Sequence, residues 1–339
     1  MVNTMSNVEH CYNCSNSEGL FPIVILSCTF AIGLPLNIIA LFGVYQLRNQ
    51  PGLLVTYTLN LILTDLCNLV TLPLWIEYFL NHMHWVHGKV TCLVTHFVFY
   101  IDIYVGVYFL TWIAIDRYLA IVHPLRSRGL RTKKFAVIIS ICGWLFCSAG
   151  GLPFMLLFEF VENESCFEMY PSSLNYAILR LVSICFVFFL PCVILCFTYG
   201  STLQTIQRTR SLEPDEKKRI QQLLLTVGFI FLVFFGPYHI VYTYGIVVLF
   251  SADDICHHEC SIVFYLHATL AFMTLNNVFV PVLYIFVSGD IRKSLCKCYG
   301  CIKLGEAGVC YMNCIDKLTN RNRGNPSHSE QELHQNQAN

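Results

Sequence analysis

Residues 91–122 read TCLVTHFVFYIDIYVGVYFLTWIAIDRYLAIV, and Asp102 is the only charge in them before Asp116 and Arg117. A bilayer core about 30 Å thick is crossed by about 20 apolar residues in an α-helix. The run exceeds that length, so it spans a membrane and carries Asp116-Arg117-Tyr118 to a water boundary. Working outward, six further runs pass the same test, roughly 21–47, 54–80, 134–158, 174–204, 222–250 and 260–287. Hydrophobic residues make up 55% of the 339, and charged residues 12%. Soluble chains carry about 25% charged residues, so lipid is the solvent this composition suits. Backbone groups in lipid must be satisfied internally, and runs this continuous read as helices. A β-barrel would alternate in segments of about ten residues. The expected fold is an all-α membrane protein, a bundle of seven transmembrane helices.

Orientation follows from the basic residues of the short connectors. Arg126, Arg128, Arg131, Lys133 and Lys134 fill one, and Arg208, Arg210, Lys217, Lys218 and Arg219 another. Arg292, Lys293 and Lys297 follow the last run, whereas the opposite connectors hold little besides Lys89. The basic side is cytoplasmic, and the N-terminus lies outside. Met1 to Glu18 is polar and has no signal-peptide pattern, so the first span is read as retained. The sequons at Asn13 and Asn163 both fall on the outer side, as glycosylation requires. Net charge is formally zero, which gives no footprint for nucleic acid. The 18 cysteines are scattered through apolar runs and read mostly as buried thiols. No internal repeat of the transporter kind is visible.

Ionisable side chains within spans are costly and mark function. Asp65, Asp102 and Arg180 are of this kind, with Asn37 and Asn60 as further polar groups. The two asparagines also suit interhelical hydrogen bonding alone. Asp116 beside Arg117 reads physically as a switch, in which the acid holds the guanidinium until it is released to a partner. Arg117 as a snorkelling side chain at the interface is the plainer alternative.

The stretch Asp116-Arg117-Tyr118-Leu119-Ala120-Ile121-Val122-His123-Pro124 resembles the end of helix three in rhodopsin-like (class A) G-protein-coupled receptors. Asn37, Asn60-Leu61-Ile62-Leu63-Thr64-Asp65, Trp144, Pro191 with Tyr199, Phe234 to His239, and Pro281 with Tyr284 are similar to the landmarks of the other helices. The resemblance covers residues 20 to 298. It implies a disulfide between Cys92 and Cys166, and a G-protein cleft at Arg117 with Tyr118, Tyr199 and Tyr284 as switch residues. It also implies an extracellular segment 1–20, a receptor domain 21–288, and a segment 289–339. That last segment would hold a short amphipathic eighth helix and a disordered tail. Cys296, Cys298 and Cys301 would be palmitoylated, and Ser327 and Ser329 phosphorylated. Heterotrimeric G protein, arrestin, receptor kinases and membrane lipids are the implied partners, at the plasma membrane. Val280 and Phe235 depart from the family pattern. Val280 removes a usual ligand of an intramembrane sodium pocket, while Asp102 adds a carboxylate near Asp65. Two close carboxylates do not both ionise cheaply, which makes a proton-linked core the alternative to sodium.

Nine of twelve histidines fall outside or in the outer halves of spans: His10, His82, His84, His87, His96, His239, His257, His258 and His267. Histidine changes charge between about pH 5 and 8, and Glu77, Glu162, Glu164, Glu168 and Glu259 are its acidic neighbours. Wet, solvated histidines that do nothing are the plainer reading. Trp85-Val86-His87-Gly88, Leu20-Phe21-Pro22, Cys166-Phe167-Glu168, Arg180 and Tyr265-Leu266-His267 resemble the proton-sensing branch of the family. That resemblance implies sensing through His84, His87, His267 and Glu168, and pairing of Cys11 with Cys256. Cys14 and Cys260 are left either bridged or free. Glu162 stands where a relative has His, and Val280 where Asp is usual. The competing reading is a small anionic ligand (lysolipid, nucleotide or organic acid) held near Arg180, with Lys89 and His267 as further cations. Tyr100, Tyr104, Tyr238, Tyr242 and His239 would line its pocket. No Gly-rich phosphate loop and no catalytic constellation appears, so no enzyme and no cofactor is expected. Cys256-His257-His258-Glu259-Cys260 comes nearest to a metal-ligand spacing, and its cysteines read as disulfide partners instead.

Overall fold

The computed structural model describes residues 20–46, 53–156, 166, 174–209, 214–249 and 255–287. Within these, seven helices are long and apolar enough to cross a membrane. Helices one to four are Leu20–Gln46, Leu53–Leu80, Gly88–Val122 and Lys133–Leu156. Helix five runs through Leu174–Ile184, a π-helical turn Cys185–Phe189 and Leu190–Arg208. Helix six runs through Pro214–Ile230, a second π turn Phe231–Phe235 and Gly236–Leu249. Helix seven is Ile255–Met273 followed by Asn276–Val287. One extra turn, Pro124–Ser127, sits in the connector after helix three. No strand occurs among the described residues.

The helices outrun the apolar segments at their ends. Helix three starts at Gly88 rather than 91, and helix six at Pro214 rather than 222. Hydropathy marks the part in lipid, whereas a helix continues into water as long as its backbone pairs. Pro214 suits a first helical position, where no N–H is required.

Helix three is the central post, with Val105, Phe109, Leu110 and Ile113 fully enclosed. Outward-facing Ile38, Val70, Phe146, Phe186, Val193 and Ile240 form an apolar exterior of the kind lipid covers. The cysteines differ from expectation. Cys147 is buried, but Cys28, Cys67, Cys142, Cys185 and Cys196 are exposed on the outside of the bundle. A thiol is apolar enough for lipid, so burial in protein is not required of it.

Proline explains two irregularities. Pro281 has no N–H to give to the carbonyl of Asn277. Asn37 Nδ2 supplies that bond instead at 2.7 Å, and also donates to Gly33 O at 2.9 Å. One asparagine thereby ties helix one to the start of the second segment of helix seven. The two π turns each precede a proline, Pro191 and Pro237. Phe188 from the first stacks on Phe231 from the second, with ring centroids 5.5 Å apart.

Gly143 sets the approach of helix four to helix three. A Cβ there would lie 2.8 Å from Tyr108 Cδ1 and closer still to Cε1. The ring cannot swing away freely, because Tyr108 OH donates to Ile139 O at 3.0 Å. Gly143→Ala should therefore overpack the contact and cost about 1–3 kcal/mol, read as a lower melting temperature of the purified protein. An unchanged melting temperature would mean that helix four moves at no cost.

Candidate functional site

The end of helix two and the connector to helix three cap one end of the bundle. His82 (φ 53°) and Met83 (φ 64°) take left-handed conformations. Met83 N donates to Tyr78 O at 2.9 Å and His82 N to Phe79 O at 3.3 Å, the paired bonds of a Schellman stop. The chain turns back sharply, and His87 Nε2 comes within 3.0 Å of Glu77 Oε2. Trp85 is buried and donates from Nε1 to Gly88 O at 3.0 Å. Gly88 itself is left-handed (φ 76°) and opens helix three. Five residues into that helix, Cys92 is bonded to Cys166.

The expected sensing residues fall into different surroundings. His84 and His87 are exposed, whereas His267 is 5% exposed and packs edge-on against Phe79 at 5.5 Å. His96 and His239 are buried too. These three lie in the spans, and their helices turn them into the bundle, away from the wet surroundings of His84 and His87. An unbroken series of ring contacts nevertheless joins His87 to His267. It passes from His87 to Trp85 (5.5 Å), Tyr78 (6.0 Å), Phe79 (5.5 Å) and His267 (5.5 Å). Trp75 braces its middle, at 5.9 Å from Tyr78 and 5.8 Å from Trp85.

Deeper in, a cleft is lined by Tyr100, Tyr104, Arg180, Ser183, Tyr238, His239 and Tyr242, among others. Arg180 is buried, donates to Tyr100 OH and lies over the rings of Tyr100 (4.3 Å) and Tyr242 (5.4 Å). Tyr104 OH pairs with Ser183 Oγ at 3.0 Å. Neither ring nitrogen of His239 has a hydrogen-bond partner among the described residues.

Asp65 of helix two and Asp102 of helix three are both buried. Asp102 Oδ2 accepts from Asn68 Nδ2 at 2.7 Å. Both oxygens of Asp65, Asp102 Oδ1, and the side-chain oxygens of Asn68, Asn276 and Asn277 make no hydrogen bond to described residues. Asn277 Nδ2 is unpaired there as well, so the polar groups are mixed donors and acceptors around two carboxyls. Val280, fully buried, contributes no ligand. No cluster of three or more His, Cys, Asp or Glu suited to a metal occurs among the described residues. Asn60 belongs to packing: it accepts from Trp144 Nε1 at 2.8 Å and donates to Ser140 Oγ at 3.0 Å.

At the far end of helix three, Asp116 is 3% exposed and takes Arg117 Nη2 at 2.5 Å. Tyr118 OH meets His123 Nε2 at 3.1 Å. Tyr199 is half-buried in helix five, and Tyr284 lies in helix seven. Cys256 lies in the first turn of helix seven, but its side chain is outside the described residues, as are Cys11, Glu168, Asn13, Asn163, Cys296, Cys298, Cys301 and the segment expected to form an eighth helix.

Three residues were not singled out as site residues from the sequence. Glu77 meets His87 only because of the left-handed turn. Asn68 sits one helical turn beyond Asp65, a spacing that could have revealed it. Arg131 was one of a basic run until its contact with Asp116 became visible.

A family model described as 7 transmembrane receptor (rhodopsin family) matches residues 36–284. G-protein coupled receptor 68 of Homo sapiens is 32% identical over 308 residues, covering 87% of this chain and 82% of its own length. Probable G-protein coupled receptor 132 of Homo sapiens is 29% identical over 300 residues, 85% of this chain and 77% of its own. Lysophosphatidic acid receptor 6 of Gallus gallus is 31% identical over 299 residues, 81% of this chain and 94% of its own.

Proposed function

The chain belongs to the rhodopsin family of seven-transmembrane receptors, and from that premise we propose that it senses extracellular protons and activates heterotrimeric G proteins. It is a multi-pass membrane protein of a receptor family and not an enzyme. The reading places it in the plasma membrane with the N-terminus outside, and gives arrestin and receptor kinases access to residues 289–339.

The observation that carries the proton reading is the ring series from His87 to His267. His87 meets Glu77, and the pair becomes an ion pair only when the imidazole is charged. Acidification therefore strengthens the hold of the first outer connector on helix two. An exposed pair of this kind contributes about 1 kcal/mol or less, so it needs packing to transmit it. The rings supply that packing. At their far end, a charge on His267 against Phe79 is poorly solvated, and the site must rearrange to accept it. A difference of one pKa unit between two states biases them by about 1.4 kcal/mol. Two such histidines are enough to move a receptor equilibrium.

The test is second-messenger output from cells expressing the chain, between about pH 8 and 6. Output should rise on acidification, and His87→Phe with His267→Phe should flatten the curve. A flat wild-type curve, with the receptor present at the surface, would sink the proposal. One observation favours a second reading, a small anionic ligand: the nitrogens of His239, which have no hydrogen-bond partner among the described residues, in a cleft that also holds Arg180. Under it, Arg180→Ala removes the response to a lysolipid or organic acid and leaves pH behaviour alone.

A further inference from the structure

The carboxylate of Asp116 is shared. Arg117 Nη2 takes Oδ2 at 2.5 Å, and Arg131 Nε takes Oδ1 at 3.0 Å. Asp116 is 3% exposed, while the two arginine side chains are 23% and 32% exposed. The acid is therefore fixed in the protein, and both cations that hold it are more exposed than it is. Arg117 is its neighbour in helix three. Arg131 arrives fifteen residues later, from a connector that is itself held down. Ser127 Oγ donates to Leu119 O at 2.9 Å, and Arg131 N donates to Ser127 O at 2.9 Å. The turn Pro124–Ser127 thus delivers Arg131 to its place.

We infer that Arg131 is a positioning residue for the transducer switch, holding Asp116 when Arg117 leaves it. The inference rests on the reading of Arg117 as the residue that turns from Asp116 toward the G protein. A buried carboxylate stripped of its last cation is strongly unfavourable. With Arg131 on the other oxygen, Asp116 keeps a charge partner in both states. The second guanidinium also repels Arg117 and takes part of the carboxylate's attraction. Both effects lower the cost of releasing Arg117. The sign is opposite to that of a second lock, whose removal would free the receptor.

The experiment measures capture of nucleotide-free heterotrimeric G protein by the full-length receptor in lipid nanodiscs, across the main Gα classes. Arg131→Ala should weaken capture about three- to tenfold, and Arg131→Lys, which keeps the charge, should recover most of it. In an Asp116→Asn background no carboxylate remains to be held, so Arg131→Ala should change nothing further. A loosened connector would weaken capture equally in both backgrounds, and that result overturns the inference. So does unchanged or tighter capture by Arg131→Ala alone. Arg117→Ala is run alongside. If it captures like wild type, or if wild type captures no class, the switch reading underneath has failed, and the inference falls with it.

Discussion

Cys92→Ala and Cys166→Ala are each expected to remove most of the protein from the cell surface. Both half-cystines are fully buried, and the bond closes a loop of 74 residues. For a free chain, closing a loop of that length stabilises by about 4–5 kcal/mol. Helices three and four cross the membrane within the loop, so the unbridged chain is already restricted and a smaller figure, about 3 kcal/mol, is reasonable. That is still a large share of a stability of about 5–15 kcal/mol. The effect should also be local. Cys92 lies one turn into helix three, just past Gly88, whose carbonyl holds Trp85. Loss of the bond frays the turn that presents His87. Flow cytometry of an epitope-tagged receptor should show surface levels several-fold below wild type for each single variant. The double variant should be no worse than either single, because one bond is lost in all three. Wild-type surface levels in the singles would mean that this end of the bundle holds without the bridge.

The same physics decides what was legible in the sequence. A membrane span advertises itself through twenty apolar residues, so seven helices could be counted before any coordinates. Their ends could not be placed as well, because Gly88-Lys89 and the polar residues after Pro214 continue helices where hydropathy falls. The break at Thr274-Leu275 was also hidden, since it lies in an apolar stretch. There the backbone bonds tighten to three-residue steps, from Thr274 N to Ala271 O and from Leu275 N to Phe272 O, both at 3.1 Å. His87 was legible as a candidate, but Glu77 as its partner was only one acid among several. The turn that joins them puts His82 and Met83 at positive φ, where the sequence offers no glycine to announce it. His267 was assigned to the outer face by its position along the helix, and the rotation that buries it on Phe79 depends on packing. Arg131 was lost in a run of five basic residues, because charge counts give orientation and not partners.

Trp85→Ala should abolish the acid response even though Trp85 carries no titrating proton. Its ring is 2% exposed and touches His87, Tyr78 and Trp75, and its Nε1 holds Gly88 O. Truncating a buried tryptophan costs about 3–5 kcal/mol. Here the loss falls on a connector, so it should loosen the cap rather than unfold the bundle. His87 would still meet protons and Glu77, but nothing would carry the event inward. The pair alone is exposed and stabilises too little to shift the bundle. Trp85→Phe separates the two roles of the side chain. It keeps a ring between His87 and Tyr78 and loses the bond to Gly88, at a cost of about 1 kcal/mol. If ring packing transmits the signal, the phenylalanine variant keeps most of the pH response at matched surface level and the alanine variant keeps none. Equal loss in both would transfer the role to the Gly88 bond and the start of helix three. A wild-type midpoint in Trp85→Ala would show that the aromatic series carries nothing, and that His87 and His267 do not act through it.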